Sequence, residues 1–369
     1  ATGFAMKGDA APASVTLAES AAPAALWWRS LGSADLNRVI EQSLSDSPTL
    51  AQADATLEAS RQGAAAADAE LGPQGGLTAG INRQRINLAA FGFTEFPNPT
   101  VNLYSVGGTV SYDLDLFGGR RRAVESARAK AEADGYRAGA AYLTLTGQVA
   151  MQAVQIASLR AQIAAANAVI ADDRASLELA RKALAAGAAP PSAQVNVQAQ
   201  LAEDQTALPA LTNALAHARH ALAVLVGQAP SNWTAPDFDL ADLKAPSAIP
   251  VALPSRLARG RPDILAAEAD LHAATADIGV QTAKLYPDIS LNAGRTQTAL
   301  TPEKILDYGF SGWNVGPSLS LPILGRGALT ARQKAAEAQA KGALARYQQT
   351  VLTAFGQVAD ALQGLASDD

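Results

Sequence analysis

The chain of 369 residues contains no cysteine, so disulfides, thiolate metal sites and cysteine nucleophiles are excluded for the sequence as given. Aromatic residues are scarce at 5%, although 49% of the chain is hydrophobic and only 17% charged. Alanine supplies much of that apolar content, in stretches with helical spacing. Such a composition favours thin helices packed closely over a thick globular core. No purely apolar run of about 18 residues is present, so a helical membrane span is not expected. The opening ATGFAMKGDAAPASVTLAESAAPAA lacks the apolar centre of a signal peptide and reads as an extended arm. A net charge of −5 argues against a nucleic-acid backbone as partner.

What the sequence does contain is an internal repeat. LPSRLARGRPDILAAEADLHAATADIGVQTAKLYP, from Leu253 to Pro287, opens its second copy. Shifted back by 214 positions, Pro262 falls on Pro48, Leu271 on Leu57, Leu285 on Leu71, Pro287 on Pro73, Leu291 on Leu77 and Gly294 on Gly80. Punctuation, apolar spacing and strand onset agree at a single offset.

Residues 1–46 read as an arm followed by a short helix, with Ser33 as N-cap and Leu36, Val39, Ile40 and Leu44 on one face. The first repeat, 47–226, starts with a helix at Ser47-Pro48 that Gly72-Pro73 stops. The period then changes from 3.6 to 2 over a hairpin at 75–117. Tyr104, Val106, Gly108, Val110, Tyr112, Leu114 and Leu116 alternate with Ser105, Gly107, Thr109, Ser111, Asp113 and Asp115. A second hairpin at 287–324 sets Ile289, Leu291, Trp313, Val315, Leu319, Leu321 and Ile323 against Ser290, Asn292, Asn314, Gly316, Ser318 and Ser320. The segment Asn87 to Thr100 is the expected outer loop.

Each hairpin is apolar on one side and small or polar on the other, and no further strands are available to form a second sheet. Strands of roughly ten residues cross a bilayer when tilted. Four of them cannot close a barrel, and open edges in lipid leave backbone groups unpaired at several kcal/mol each, so neighbouring copies must supply the rest. Three copies would give twelve strands. Val106, Val110, Tyr112, Leu319 and Leu321 are then expected to face lipid, and Thr109, Ser111, Asp113, Asp115, Ser318 and Ser320 the lumen. Tyr104 and Trp313 at one end, with Phe117 and Tyr286 at the other, suit aromatic girdles.

After Gly118-Gly119 the helical period returns over 120–186, a helix of roughly 100 Å if continuous. Gly187 suits its C-terminus, and Pro190-Pro191-Ser192 starts a return helix over 191–226. The Pro- and Asp-rich stretch 227–254 is an irregular linker. The second repeat, 255–369, runs through helix, hairpin and the start of a long helix, with Gly356-Gln357-Val358 falling on Gly147-Gln148-Val149 at an offset of 209. Asp369 then corresponds to Arg160, so the second half is either shorter by nature or truncated. Truncation is the favoured expectation.

These strings resemble the TolC-like outer membrane factors, in particular the branch of multidrug efflux outer membrane lipoprotein channels. LPSRLARGRPDILAAEADL with ADIGVQTAKLYPDISL resembles that branch's mid-chain signature. VSYDLDLFGGRRRAVESARA and VGPSLSLPIL resemble its strand-to-helix junctions, WWRSLGSADLNRVIEQSLSDSPTLAQA its N-terminal segment, and LPALTNALAHARHALAVLVGQAP the end of its first helical hairpin. The resemblance spans about residues 25 to 369. It implies a mainly α fold with a small antiparallel β part. Long helical hairpins would form an α-barrel, and four strands would contribute to a trimeric twelve-stranded β-barrel. It also implies a homotrimer in the outer membrane that extends into the periplasm. With a periplasmic adaptor and an inner-membrane pump, this would be the exit duct for drugs or small toxic compounds. No enzyme activity and no cofactor are implied. The helical tip, Gly187, Pro190, Pro191, Ser192, Gln194 and Val195, is the expected adaptor contact. Three departures stand out: the acylated cysteine of that branch is absent, Gln194 occupies a position where the family usually shows an acid, and the second hairpin turn, where members often carry part of an acidic constriction, is expected past Asp369, so no gating residue is assigned there.

Other groupings have plainer readings. Asp113 and Asp115 have the spacing of a carboxylate pair, but a solvated lumen wall accounts for them. His217 and His220 could share a metal but lack a third ligand, which leaves surface helix positions as the simpler account. Arg120, Arg121 and Arg122 suggest a lipid-phosphate patch or a water-lipid boundary. Gly325-Arg326-Gly327 lacks the rest of a phosphate loop and reads as a strand-to-helix turn. The competing functional class is a long-helical periplasmic adaptor or coiled-coil scaffold without channel activity. An adaptor would need a lipoyl-like β domain, and no strands for one are found.

Overall fold

Ser33 accepts a hydrogen bond from the backbone N–H of Leu36 and so caps α1 (Ala34–Asp46), the first helix of the computed structural model. The structure describes residues 16–19, 26–92, 94, 95, 97–244, 248–251 and 260–367. Most of the N-terminal arm, Phe93 and Phe96 of the outer loop, and the opening LPSRLAR of the mid-chain signature lie outside the described residues.

α2 (Pro48–Ala69) begins on proline, where a missing N–H costs nothing. The strands β2 (Gln74–Arg85) and β3 (Thr100–Asp113) follow, β1 being the short Thr16–Glu19. α3 (Gly119–Ala185) is one helix of 67 residues. It ends at Gly187, whose φ of 71° allows the N–H of Ala188 to reach the carbonyl of Ala183 at 2.9 Å. α4 (Pro191–Leu225) returns and passes through Pro209, which leaves the carbonyl of Gln205 without its helical donor. β4 (Ala248–Val251) lies in the linker and pairs in parallel with β1. The second repeat supplies α5 (Pro262–Ala283), β5 (Asp288–Ala299), β6 (Ser311–Ser320) and α6 (Arg326–Ser367).

The mainly α fold with a small antiparallel β part is therefore present, each hairpin being followed by a long helix. The strands are shorter than the periodicity suggests. β3 stops at Asp113 and β6 at Ser320, because Pro322, Gly118 and Gly325 turn the chain into the helices that follow.

Two compact units make up the chain, and neither coincides with a repeat. The first takes 1–56, 135–265 and 351–369, the second 57–134 and 266–350, and every internal boundary falls inside a helix. The first unit holds the largest side chains of the core, where Trp28, Ile40, Val149, Ile156, Leu222 and Phe238 pack together. Fully burying a side chain of this kind contributes about 1.5–3 kcal/mol. α3 carries one 18-residue stretch that by length and composition alone is apolar enough to cross a membrane. Leu145, Val149 and Ile156 of α3 belong to the core of the first unit.

In the second unit alanine takes over as the packing residue. Ala129, Ala133, Ala269, Ala273, Ala336 and Ala340 are buried among helices. Small side chains bring α3 and α5 close enough that a Cβ on Gly119 would stand 2.8 Å from that of Ala283, and one on Gly279 would stand 2.8 Å from Cγ of Arg122.

Candidate functional site

The sheet of the second unit runs β2-β3-β5-β6, antiparallel throughout, with β2 and β6 as open edges. Its register sorts the side chains onto two faces. Gly76, Thr109, Gly294 and Asn314 stand in one cross-strand row, and Gln74, Ser111, Asn292 and Gly316 in the next. Asp113, Ser290 and Ser318 form a third. This face is small as well as polar: a Cβ on Gly294 would meet Oδ1 of Asn314 at 2.7 Å, and one on Gly107 would meet Oγ1 of Thr296 at 2.9 Å. Thr109, Ser111, Asp113, Ser318 and Ser320 all belong to it.

The opposite face carries Leu77, Ile81, Val106, Val110, Tyr112, Trp313, Val315 and Leu319. Leu77 is 89% exposed, Ile81 73%, Trp313 74% and Val315 70%. An aqueous sheet of this size does not present such a contiguous apolar surface unpartnered. Val106, Val110, Tyr112 and Leu319 all stand on this face. Leu321 is exposed but lies one residue beyond β6.

Asp115 is a correction. It is not a strand residue facing a lumen but sits in the turn before α3 with φ of 43°, the one non-glycine residue with positive φ among the described residues. Its carboxylate accepts the N–H groups of Arg120 and Arg121, each at 2.9 Å, and so caps the helix. Asp113 accepts the N–H of Asp115 at 2.9 Å and pairs with Nε of Arg120 at 2.7 Å. Burial would raise the pKa of Asp115, but the two backbone donors and the Arg121 guanidinium outweigh it and hold the carboxyl below its usual value. The alternation of period 2 continues through this stretch and gave no sign that the strand ends at Asp113.

The three consecutive arginines are engaged within the chain. Arg120 pairs with Asp113, Arg121 with Asp115 and Arg122 with Glu125. Beside them Phe117 stacks on Tyr286 with centroids 4.7 Å apart, at the helix end of the sheet. Glu125 also meets Nε2 of His272 on α5 at 2.9 Å. That contact first, then Arg122, lowers its pKa.

Gly187, Pro190, Pro191, Ser192, Gln194 and Val195 come together at the turn between α3 and α4, where Val195 is exposed. His217 and His220 are exposed with ring centroids 6.4 Å apart, and among the described residues no group of three His, Asp or Glu side chains is placed to hold a metal. Gly325, with φ of 79°, and Arg326 form the turn into α6.

Two groupings had no sequence signal. Arg261 clasps Asp263 at both carboxylate oxygens and also donates to Oε1 of Gln357 at 2.7 Å. The Arg261 hydrogen bond lowers the pKa of Asp263, and that of Arg261 is raised in turn. Further along, Asp173 of α3 has an oxygen shut off from water without a donor. Burial first, then the Asp204 carboxylate of α4 and Asp172, push its pKa up.

Residues 39–228 and 253–369 match the family described as outer membrane efflux protein. The pyoverdine export outer membrane protein OpmQ of Pseudomonas aeruginosa is 29% identical over 343 residues, which is 92% of this chain and 72% of OpmQ. Outer membrane protein OprJ of the same organism is 31% identical over 352 residues, 93% of this chain and 72% of OprJ. Among solved structures, the outer-membrane channel OprN superposes with a TM-score of 0.87 at 30% identity, covering 97% of this chain and 81% of that one. With most of its length matched and the two-faced sheet in place, this chain belongs to the outer membrane efflux protein family.

Proposed function

We propose that the chain forms the outer membrane exit duct of a tripartite efflux system, passing drugs or small toxic compounds from the periplasm to the exterior without chemistry of its own. The observation that carries this reading is the sheet with one apolar exposed face, one small polar face and two unpaired edges. Closing it costs least when β2 of one copy pairs with β6 of the next, and three copies make a closed barrel of twelve strands. The polar face then lines a water-filled lumen and the apolar face meets lipid. A periplasmic adaptor, itself coupled to an inner-membrane pump, would dock on the tip around Gly187 to Val195.

Because the chain has no cysteine, single-cysteine variants test the wall without a background. In membranes, Thr109→Cys and Ser111→Cys should react with a charged, water-soluble maleimide, while Val110→Cys and Val315→Cys should stay protected. Uniform labelling of all four would remove the membrane wall and favour a soluble helical scaffold.

A further inference from the structure

Charge on the apolar face of the sheet is of one sign. The charged side chains there are Arg83 and Arg85 at the loop end of β2 and Arg295 on β5, all exposed, with Arg295 in the row of Gly108 and Leu77, three same-face rows nearer the helices than Arg83. None has an acidic partner among the described residues. Arg295 stands directly opposite Trp313, and its guanidinium carbon lies 5.3 Å from the centre of the Tyr308 ring in the second hairpin. A long side chain that leaves an apolar face for an aromatic at its rim is the behaviour of an interfacial cation. The acids of this end, Glu95, Glu303 and Asp307, belong to the hairpin loops and not to the sheet face.

Next to these cations is a hollow of about 500 Å³. Ala79, Ile81, Tyr104 and Val106 line it from the sheet, and Pro302 and Ile305 from the second hairpin. Arg83 follows Ile81 on the same face, and Arg295 lies one cross-strand row from Val106 and Ala79. An apolar hollow beside unpaired guanidinium groups fits a molecule with an acyl chain and a phosphate, and fits a free phosphate poorly because the hollow would stay empty.

The geometry points to a binding site for a phosphate-bearing lipid of the outer leaflet. The acyl chain fills the hollow and the phosphates meet Arg83, Arg85 and Arg295. The site rests on the proposed membrane wall. It fixes the depth and rotation of the sheet against the leaflet, since each pairing ties a strand position to the headgroup level.

The test uses the purified full chain in detergent, with bound lipid counted by native mass spectrometry. It is titrated with bisphosphorylated lipid A, with the same lipid stripped of its phosphates, and with inorganic pyrophosphate. The phosphorylated lipid should bind at least about tenfold tighter than the stripped one, because each arginine facing an anionic headgroup gives about a fivefold effect. Combined Arg83→Gln, Arg85→Gln and Arg295→Gln should abolish that preference, and lysine at the same positions should keep most of it. Ile305→Trp, which fills the hollow and leaves the arginines, should weaken both lipids. Equal binding of the two lipids, an unchanged triple glutamine variant, or pyrophosphate binding as tightly as the lipid would each overturn the site. If Val110→Cys stays protected in membranes while no phosphate preference is found, the lipid site alone fails. Labelling of Val110→Cys removes the wall itself.

Discussion

Arg261 and Asp263 flank Pro262 and face each other across it, Nε to Oδ1 at 3.0 Å and Nη2 to Oδ2 at 2.7 Å. Proline fixes the backbone between them at the first position of α5, where Asp263 also accepts the N–H of Ile264 at 3.0 Å. The same guanidinium reaches Gln357 on α6, so one side chain joins two helix segments of the first unit.

Arg261→Ala should lower stability by about 1 kcal/mol, the scale of a well-formed, partly exposed bidentate pair. Thermal unfolding in detergent followed by circular dichroism measures it. The folded pKa of Asp263 is depressed, so its contribution is present above the unfolded value and lost as pH falls through the folded one. The gap between wild type and variant should therefore close in acid, and a gap independent of pH would show that the charge pair is not its source.

Asp115→Ala removes the cap of α3 and should cost about 1 kcal/mol, with Asp115→Asn recovering part of it. Here too the folded pKa is depressed, so the stabilisation is present at neutral pH and disappears as pH drops through the folded value. Amide exchange at Arg120 and Arg121, whose N–H groups the carboxylate holds, should accelerate in the alanine variant.

Asp173→Asn is expected to stabilise. The carboxyl has a raised folded pKa, so as pH rises through that value it must ionise against Asp204 and Asp172, and stability falls. The variant should melt higher than wild type at pH 7, and the difference should shrink below the unfolded carboxylate pKa. A lower melting temperature at pH 7 would mean that the carboxylate is needed for packing.

Gly119→Val and Gly279→Leu should each destabilise by about 1–3 kcal/mol by forcing α3 and α5 apart. The Cβ positions already lie 2.8 Å from Ala283 and Arg122, respectively. Gly364→Ala, where nothing lies within 4 Å, is the control and should be neutral or slightly stabilising.

Much of this molecule was legible because its signals are local. Pro48 and Pro262 start helices, Gly187 ends one, and the alternation from Tyr104 to Tyr112 survives as one face of β3. Alternation failed at Asp115, since period 2 describes side-chain order and does not register where backbone pairing stops. It failed again for Leu321, one residue past β6.

The order of residues alone determined the two repeats, the helix and strand types, and which strand residues share a face, because periodicity and punctuation act over a few neighbours. Only the tertiary structure decided that both hairpins join in one sheet with β3 against β5. It also decided that units draw on both repeats, that Arg261 reaches Gln357, and that Asp173 meets Asp204. Those pairings join positions far apart in the chain, where no local period operates and the neighbour is selected by hydrogen bonding and packing together.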